Sequence, residues 1–307
     1  MKAAGIYIHI PFCKSKCNYC DYYSLEKRDS EIDVFVEMLH REIDLTAHEH
    51  DKDWNFDTIY FGGGSPALLP TKDVDDILGK LRKQFNTAKH VEVTLEINPD
   101  ETTKGELLSF KDSGINRLSI GFQSLDPSLL HTLSRTHNPD DCFTIYNHAR
   151  QAGFENINID LMNNIPGQSI EDWLKHLKVV TDIKPDHITI YSLTIEKETP
   201  LFGKIKSGEI TSIPKVIELD MFTQGNQFLM DSGFTQYEVS HFSKLGKECR
   251  HNQHYWSLDP YLAFGPSAHG YDGIKRWWNM SSLDDYISKL STNVKPIGGF
   301  ETLSSLN

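Results

Sequence analysis

The chain has 307 residues, a net charge of −12, 38% hydrophobic residues and a mean hydropathy of −0.43. These values fit one large α/β domain, or one domain with an appendage, and no apolar run approaches the length of a membrane-spanning helix. The negative charge argues against a nucleic-acid partner, which would need a basic face, and against docking on anionic lipid.

The first two-thirds of the sequence alternate between strand-like and helical patterns. Short apolar runs predict six strands, at residues 5–10, 57–61, 91–97, 117–122, 156–162 and 187–193. Helical periodicity predicts helices at residues 30–48, 71–85, 102–113, 140–152 and 169–183. Such alternation indicates parallel pairing with right-handed crossovers. An eight-unit barrel takes about 250 residues, so six units predict an open (β/α)6 partial barrel, or otherwise a doubly wound sheet.

Beyond residue 205 the pattern changes. It predicts a helix at 214–232, a strand at 234–242, a strand at 275–279 and a helix at 282–290. The stretch 241–271 is aromatic and irregular, and the last ten residues read as a polar tail with no element of their own. We therefore predict a partial-barrel domain over 1–205 and a smaller α+β portion over 206–307 that looks incomplete.

The N-terminus has no charged-then-apolar leader and enters a predicted strand within five residues. This disfavours secretion and organelle import. The five cysteines, three of them clustered, fit a reducing compartment, so the predicted location is the cytoplasm.

Those three cysteines follow the first predicted strand as Cys13, Cys17 and Cys20, in a CxxxCxxC spacing. Three thiolates can hold three corners of a [4Fe-4S] cluster and leave the fourth iron open to a small molecule. A structural zinc site needs four ligands, and His9 would be the only local fourth ligand. A disulfide is the other alternative, which a reducing compartment disfavours.

Polar residues and glycines follow the carboxyl ends of the predicted strands, where parallel barrels bind their ligands. They are Gly62, Gly63, Gly64, Ser65, Glu96, Asn98, Gln123, Asp160 and Tyr191. Singly, the glycines would indicate a tight turn and each polar side chain a solvated residue. Together, beside an open cluster iron, they predict a shared polar ligand with an amine, a carboxylate and hydroxyls.

The run YIHIPFCKSKCNYC resembles the cluster motif of the radical S-adenosylmethionine (SAM) family, in its HemN/HemW branch. The resemblance extends through GGGSP, EINP, GINRLSIGFQS, IPGQS, YSLTIE, HNQHYW and FGPSAHGY, which cover nearly the whole chain. It implies a six-unit partial barrel, in agreement with the strand count. It also implies that Cys13, Cys17 and Cys20 hold a [4Fe-4S] cluster whose open iron binds SAM, and that an electron from the cluster could cleave SAM to a 5′-deoxyadenosyl radical.

The resemblance further implies the residues that contact SAM. The positions that match are Tyr7, Gly63, Gly64, Ser65, Glu96, Gln123, Arg135 and Asp160, with Tyr19 near the adenine. Ser65 in GGGSP keeps the hydroxyl of the commoner threonine, and Asn164 stands where many relatives have glycine.

Two activities occur in this branch: oxygen-independent coproporphyrinogen III dehydrogenation and heme delivery. The dehydrogenase carries a further cysteine two residues past its third cluster ligand, where this chain has Tyr22, and it has a long N-terminal arm, whereas only twelve residues precede Cys13 here. Both differences disfavour the decarboxylase. The resemblance therefore implies a heme chaperone that delivers heme to acceptor proteins such as membrane-bound respiratory enzymes. The alternative is the dehydrogenase or another radical SAM enzyme.

The HNxxYW motif of heme chaperones matches His251, His254, Tyr255 and Trp256. A neutral imidazole is a common axial ligand of heme iron, and flat aromatic rings can pack on the macrocycle. His251 is the first candidate for the ligand, with His254, His269 and Cys249 as alternatives. The competing interpretation is a structural corner with hydrogen-bonded histidines.

Overall fold

The computed structural model describes residues 2–47 and 53–303. All six strands predicted for the first two-thirds of the chain are present and pair in parallel in chain order. They are β1 (Lys2–Ile10), β2 (Trp54–Gly63), β3 (Thr87–Ile97), β4 (Arg117–Gln123), β5 (Ile157–Asn163) and β6 (His187–Ser192). Their outward side chains are buried apolar residues covered by helices, because a parallel sheet is packed on the face its crossovers cover.

The connecting helices are α1 (Ile32–Ala47), α2 (Thr71–Gln84), α3 (Lys104–Ser113), α4 (Pro127–Thr132), α5 (Pro139–Gln151), α6 (Ile170–Asp182), α7 (Pro200–Lys206) and α8 (Lys215–Asp231). Six of the helices lie within two residues of the predicted bounds, whereas the two short helices α4 and α7 were not predicted. A capping box between Thr103 and Glu106 starts α3, and Gly114 ends it in the left-handed conformation (φ 107°) that favours glycine. Residue 48, the predicted end of the first helix, lies outside the described residues.

The last hundred residues are more regular than predicted. They form β7 (Thr235–Gln236), β8 (His241–Ser243), α9 (Arg250–Trp256), β9 (Tyr261–Phe264), β10 (His269–Tyr271), β11 (Lys275–Asn279), α10 (Leu283–Ser291) and β12 (Ile297–Thr302). The predicted single strand at 234–242 is wrong, because the Glu238 side chain accepts from the Ser240 backbone N–H (2.8 Å) in a turn that divides it. The predictions of an irregular 241–271 and of a structureless tail are also wrong, since these segments contain α9, β9, β10 and β12.

Within the described ranges these twelve strands form one sheet, in the order β12-β11-β10-β9-β1-β2-β3-β4-β5-β6-β8-β7. Two further strands of two residues each, Phe12–Cys13 and Leu25–Glu26, pair in parallel as a separate small sheet. The C-terminal strands thus join both edges: β9 pairs in parallel with β1, and β8 pairs antiparallel with β6. Among the described residues the two edge strands, β12 and β7, do not pair with one another, so the wall is open. The predicted domain boundary at residue 205 falls within α7, and the residues beyond it extend the same sheet.

One buried carboxylate connects the C-terminal strands to α1. Glu42 accepts hydrogen bonds from the Gly265 backbone N–H (2.9 Å), Asn279 Nδ2 (2.6 Å) and the Tyr286 hydroxyl (2.7 Å). Its burial raises the pKa of Glu42 to about 7, although the three donors act in the opposite direction. The C-terminal portion is therefore fixed to the barrel by a polar contact as well as by packing.

Candidate functional site

The three clustered cysteines lie in the loop that leaves the carboxyl end of β1. Phe12 anchors the start of this loop, because its ring packs edge-on against Phe35 of α1 with 5.3 Å between centroids. The thiols of Cys13, Cys17 and Cys20 are free and partly exposed. In the described part of the chain, no group of three His, Cys, Asp or Glu side chains converges on the position of a single metal ion.

Polar groups and two glycines surround these thiols. Arg135 Nη1 donates to Cys17 Sγ at 3.4 Å. Burial raises the pKa of the Cys13 thiol to about 11, and hydrogen bonds with Ser24 and Ser65 oppose that rise. A side chain at Gly64 would bring its Cβ to 2.9 Å from Cys13 Sγ and 2.5 Å from the Phe12 carbonyl oxygen. Soft sulfur donors, a nearby guanidinium and a turn that excludes side chains fit a [4Fe-4S] cluster.

A hydrogen-bond network under the loop joins the ends of β2, β3 and β4. Asn98 Nδ2 donates to Ser65 Oγ (2.9 Å) and to Glu101 Oε2 (2.8 Å). Arg135 Nη2 donates to Asn98 Oδ1 and to the Gly121 carbonyl (3.2 Å). Gly63, Gly64, Ser65 and Arg135 are therefore brought together beside the cysteines. Glu101 and the role of Asn98 in this network were not predicted.

Glu96, Asp160 and Tyr7 lie deeper, on the inner face of the barrel. Glu96 accepts from the Tyr60 hydroxyl at 2.8 Å, and burial raises the pKa of this carboxyl to about 7. Asp160 accepts from Ser119 Oγ (2.9 Å) and Asn158 Nδ2 (2.7 Å), and burial raises its pKa too. Strands β3, β4 and β5 hold these carboxylates in one cavity, because the inward positions of neighbouring strands are in register.

Gln123 and Tyr19 complete the set predicted to contact SAM. Gln123 ends β4 with a left-handed backbone (φ 62°), which is uncommon for residues other than glycine and is found preferentially at functional sites. Tyr19 packs against a small apolar cluster that includes Leu129 and Leu133, and burial raises the pKa of its hydroxyl.

Two exposed tyrosines lie close to the inward carboxylates. Tyr22 is 68% exposed and Tyr191 is 41% exposed. Local desolvation raises the pKa of each hydroxyl, and the charges of Glu96 and Asp160 raise it further. Tyr22, at the position where the dehydrogenase carries its further cysteine, is therefore an aromatic residue near the opening of the cavity.

The HNxxYW motif forms α9, which lies toward the amino-terminal ends of the strands, away from the end where the cysteine loop begins. Glu92 of β3 accepts from the backbone N–H groups of Arg250 (3.3 Å) and His251 (3.2 Å) at the start of this helix. The His251 ring stacks on Tyr60 at 5.2 Å and on Tyr7 at 6.4 Å between centroids. The helix thus packs against the base of the cavity.

Both imidazoles of α9 already have two hydrogen-bond partners. His251 is 1% exposed, and its Nδ1 and Nε2 bond to Thr58 Oγ1 (2.8 Å) and the Tyr255 hydroxyl (2.9 Å). His254 bonds to the carboxylates of Asp57 (2.7 Å) and Asp259 (3.1 Å). Since neither residue has a ring nitrogen free for iron, this geometry favours the structural interpretation of the motif. Of its aromatic residues, Trp256 is 66% exposed.

The buried state of His251 has a consequence for stability. Burial, followed by the charges of His254 and Arg117, lowers the pKa of His251 to about 3. An imidazole whose pKa is lowered in the folded state contributes stability at pH values above its unfolded pKa of about 6.5. This contribution is lost as the pH falls through 6.5 toward 3. Between about pH 7 and about pH 5, we expect the unfolding free energy of the parent to fall more steeply than that of His251→Asn, by up to about 1.4 kcal/mol per pH unit.

Urea unfolding of both proteins at several pH values measures the difference between their two pH profiles. The titrating groups that the two proteins share contribute equally to both profiles and cancel in the difference. His131→Asn, at an exposed position of α4, is the matched control for loss of a histidine. Parallel pH profiles for the parent and His251→Asn would show that His251 does not titrate as its burial indicates.

An open α/β sheet with a three-cysteine loop at the carboxyl end of its first strand agrees with the sequence comparisons. The sequence model described as the Radical SAM superfamily matches residues 7–180, more than half of the chain. The chain belongs to the radical SAM superfamily, and within it to the family of the HemW proteins described next. The predicted family and fold class are therefore confirmed.

The heme chaperone HemW of Mycobacterium tuberculosis strain CDC 1551 / Oshkosh is 33% identical over 304 residues, which is 98% of this chain and 78% of the relative. HemW of Bacillus subtilis strain 168 is 32% identical over 292 residues, 95% of this chain and 76% of the relative. Radical SAM proteins use a [4Fe-4S] cluster and SAM, so membership confirms these two predicted cofactors.

Among solved structures, coproporphyrinogen III oxidase (HemN) from Escherichia coli superposes with a TM-score of 0.87. The match covers 99% of this chain and 72% of that one, at 23% sequence identity, and it establishes the fold. Within residues 2–47 and 53–303, no helix has the length and apolar character needed to cross a membrane.

Proposed function

We propose that this protein is a heme chaperone, which binds heme as its cargo in the cytoplasm and passes it to acceptor proteins such as respiratory enzymes. The observation that carries the proposal is the 33% identity to the heme chaperone HemW over 98% of the chain. Heme delivery needs a protein that binds the porphyrin and then releases it. The open wall between β12 and β7 offers a large ligand access to the cavity.

In this proposal Cys13, Cys17 and Cys20 hold the [4Fe-4S] cluster. Arg135, which contacts Cys17, places a positive charge beside the negative thiolates. The cluster and SAM supply one-electron chemistry when bound.

The proposed SAM site has three parts. The turn Gly63–Gly64–Ser65 and Gln123 line its upper edge, and Arg135 lies beside them. Tyr7, Glu96 and Asp160 form its polar floor, where carboxylates can accept from an amine and from hydroxyls. Tyr19 provides an aromatic face near the adenine.

The alternative, oxygen-independent coproporphyrinogen III dehydrogenase, has less support. The likeness to HemN is at 23% identity and concerns the fold. Tyr22 stands where the dehydrogenase has a further cysteine, which disfavours the decarboxylation.

The test uses the full chain, reconstituted without oxygen with iron and sulfide. We expect stoichiometric hemin uptake, followed by transfer of the heme to apomyoglobin as a probe acceptor, faster than from serum albumin loaded with the same heme. A parallel incubation contains coproporphyrinogen III, SAM and a strong reductant. Formation of protoporphyrinogen IX, or failure to bind heme, would overturn the chaperone proposal.

A further inference from the structure

A series of buried hydrogen bonds leads from Asp160, on the polar floor of the proposed SAM site, to His187 of β6. Asp160 Oδ1 accepts from Asn158 Nδ2 at 2.7 Å, and Asp160 Oδ2 accepts from Ser119 Oγ at 2.9 Å. On its other side, Asn158 Oδ1 lies 2.6 Å from His187 Nδ1. Asn158, Ser119 and His187 are at most 4% exposed, so water competes little for these bonds.

The side-chain amide of Asn158 has a single orientation. Its Nδ2 donates to the Asp160 carboxylate (2.7 Å) and to Ser119 Oγ (2.7 Å). Because a carboxylate accepts hydrogen bonds, the nitrogen is the end of the amide that faces Asp160. The oxygen at the opposite end accepts from Thr189 Oγ1 (3.0 Å) and from His187. Both donors and both acceptor positions of the amide are therefore filled, and it cannot turn over without losing them.

This amide also determines which nitrogen of His187 carries the proton. Since Asn158 Oδ1 is an acceptor, His187 Nδ1 is protonated and Nε2 keeps its lone pair. The Tyr237 hydroxyl donates to Nε2 at 2.7 Å, and the Tyr237 oxygen accepts from the Cys249 backbone N–H at 3.1 Å. Burial lowers the pKa of His187 well below its ordinary value, so the ring is neutral. The tautomer is thus fixed at both ring nitrogens.

A carboxylate that is held in this way is prepared for a ligand. Each oxygen of Asp160 has one protein donor and can accept a second hydrogen bond from a hydroxyl or an amine. An unsupported carboxyl group turns readily about its last side-chain bond, and a ligand that binds it must pay for stopping that motion. Side chains that hold such a group in place reduce this cost.

We propose that His187 is a positioning residue of the SAM site, which holds Asp160 in its ligand-binding orientation through the amide of Asn158. The inference rests on the proposed SAM site, and it adds a residue that does not itself touch the ligand. His187 acts by donating from Nδ1, and Tyr237 supports it by donating to Nε2.

The experiment measures the SAM affinity of the full chain, reconstituted without oxygen, by isothermal titration calorimetry. We expect His187→Leu to weaken SAM binding about fivefold to tenfold, the effect of losing about one net hydrogen bond. His187→Asn should stay close to the parent, because its amide nitrogen can occupy the position of Nδ1 and donate to Asn158. In a chain that already carries Asp160→Ala, His187→Leu should have no further effect, since the imidazole acts through that carboxylate.

His176→Leu is the matched control for the loss of a buried histidine. His176 lies in α6, is 7% exposed and takes no part in the hydrogen bonds described above. This variant should bind SAM as the parent does, and circular dichroism shows whether each variant is folded. The tautomer is measured independently from the imidazole ¹⁵N shifts of the full parent chain, in which Nδ1 of His187 should be the protonated nitrogen.

The outcomes distinguish this inference from the site on which it rests. If Asp160→Ala binds SAM as tightly as the parent, the proposed SAM site loses Asp160 and this inference fails with it. If Asp160→Ala weakens binding while folded His187→Leu does not, the positioning role is overturned and the SAM site stands. The role is also overturned if His187→Asn loses as much affinity as His187→Leu, or if His187→Leu has the same effect with and without Asp160. Should His187→Leu not fold, a proton on Nε2 in the parent would still overturn it.

Discussion

Replacing Cys17 with alanine is expected to abolish the iron–sulfur cluster. The parent should take up about four irons per chain on anaerobic reconstitution, with a broad visible absorbance. Cys17→Ala should retain less than one iron, because two thiolates cannot hold three corners of the cluster. Iron and sulfide analysis, together with the absorbance, measures the loss.

The matched control is Cys142→Ala. Cys142 is a free thiol like Cys17, but it is buried in α5, so its removal should leave the iron content unchanged. Equal loss of iron in both variants would indicate general misfolding rather than removal of a ligand. A parent protein that contained zinc after oxygen-free preparation would contradict the cluster assignment itself.

Glu42→Ala is expected to have the largest effect on stability. The side chain is 3% exposed and accepts three hydrogen bonds, from Gly265, Asn279 and Tyr286. Alanine would leave three buried donors without their acceptor, at a cost of about 1–3 kcal/mol for each one that stays unpaired. We expect the unfolding free energy to fall by roughly 3 kcal/mol or more, as measured by urea denaturation.

Glu37→Ala on the same helix is the control. Glu37 is exposed and forms an i,i+4 ion pair with Arg41 at 2.8 Å, and such surface pairs contribute less than about 1 kcal/mol. A loss in Glu42→Ala no greater than in this control would mean that the C-terminal strands are held by packing alone. Limited proteolysis of both variants would show whether the loss begins in the region of β9 to β12.

The barrel portion of the fold was predictable because its signals are local. Each core strand is a short apolar run, and each helix has its own periodicity and end signals such as Thr103 and Gly114. The C-terminal portion was not, because β9 and β10 have only four and three residues, and β9 joins the sheet by pairing with β1 at the other end of the chain. A segment of that length has too little periodicity to distinguish a strand from a loop.

The candidate site divides in the same way. Strand ends could be assigned to a common edge from topology alone, which brought Ser65, Glu96 and Gln123 into one prediction. The spacing of HNxxYW, however, carries no information about which end of the barrel the helix occupies.

By itself, the sequence determined the class of this protein: three thiols in eight residues fix a metal chemistry, and alternating strands and helices fix a parallel sheet. The tertiary structure decided that both ring nitrogens of His251 and of His254 are hydrogen-bonded, how the last hundred residues extend both edges of the sheet, and where Glu42 connects them. These depend on contacts between distant residues. Which residue becomes a hydrogen-bond partner, or which strand a neighbour, depends on the folded geometry. A local sequence pattern does not contain that information.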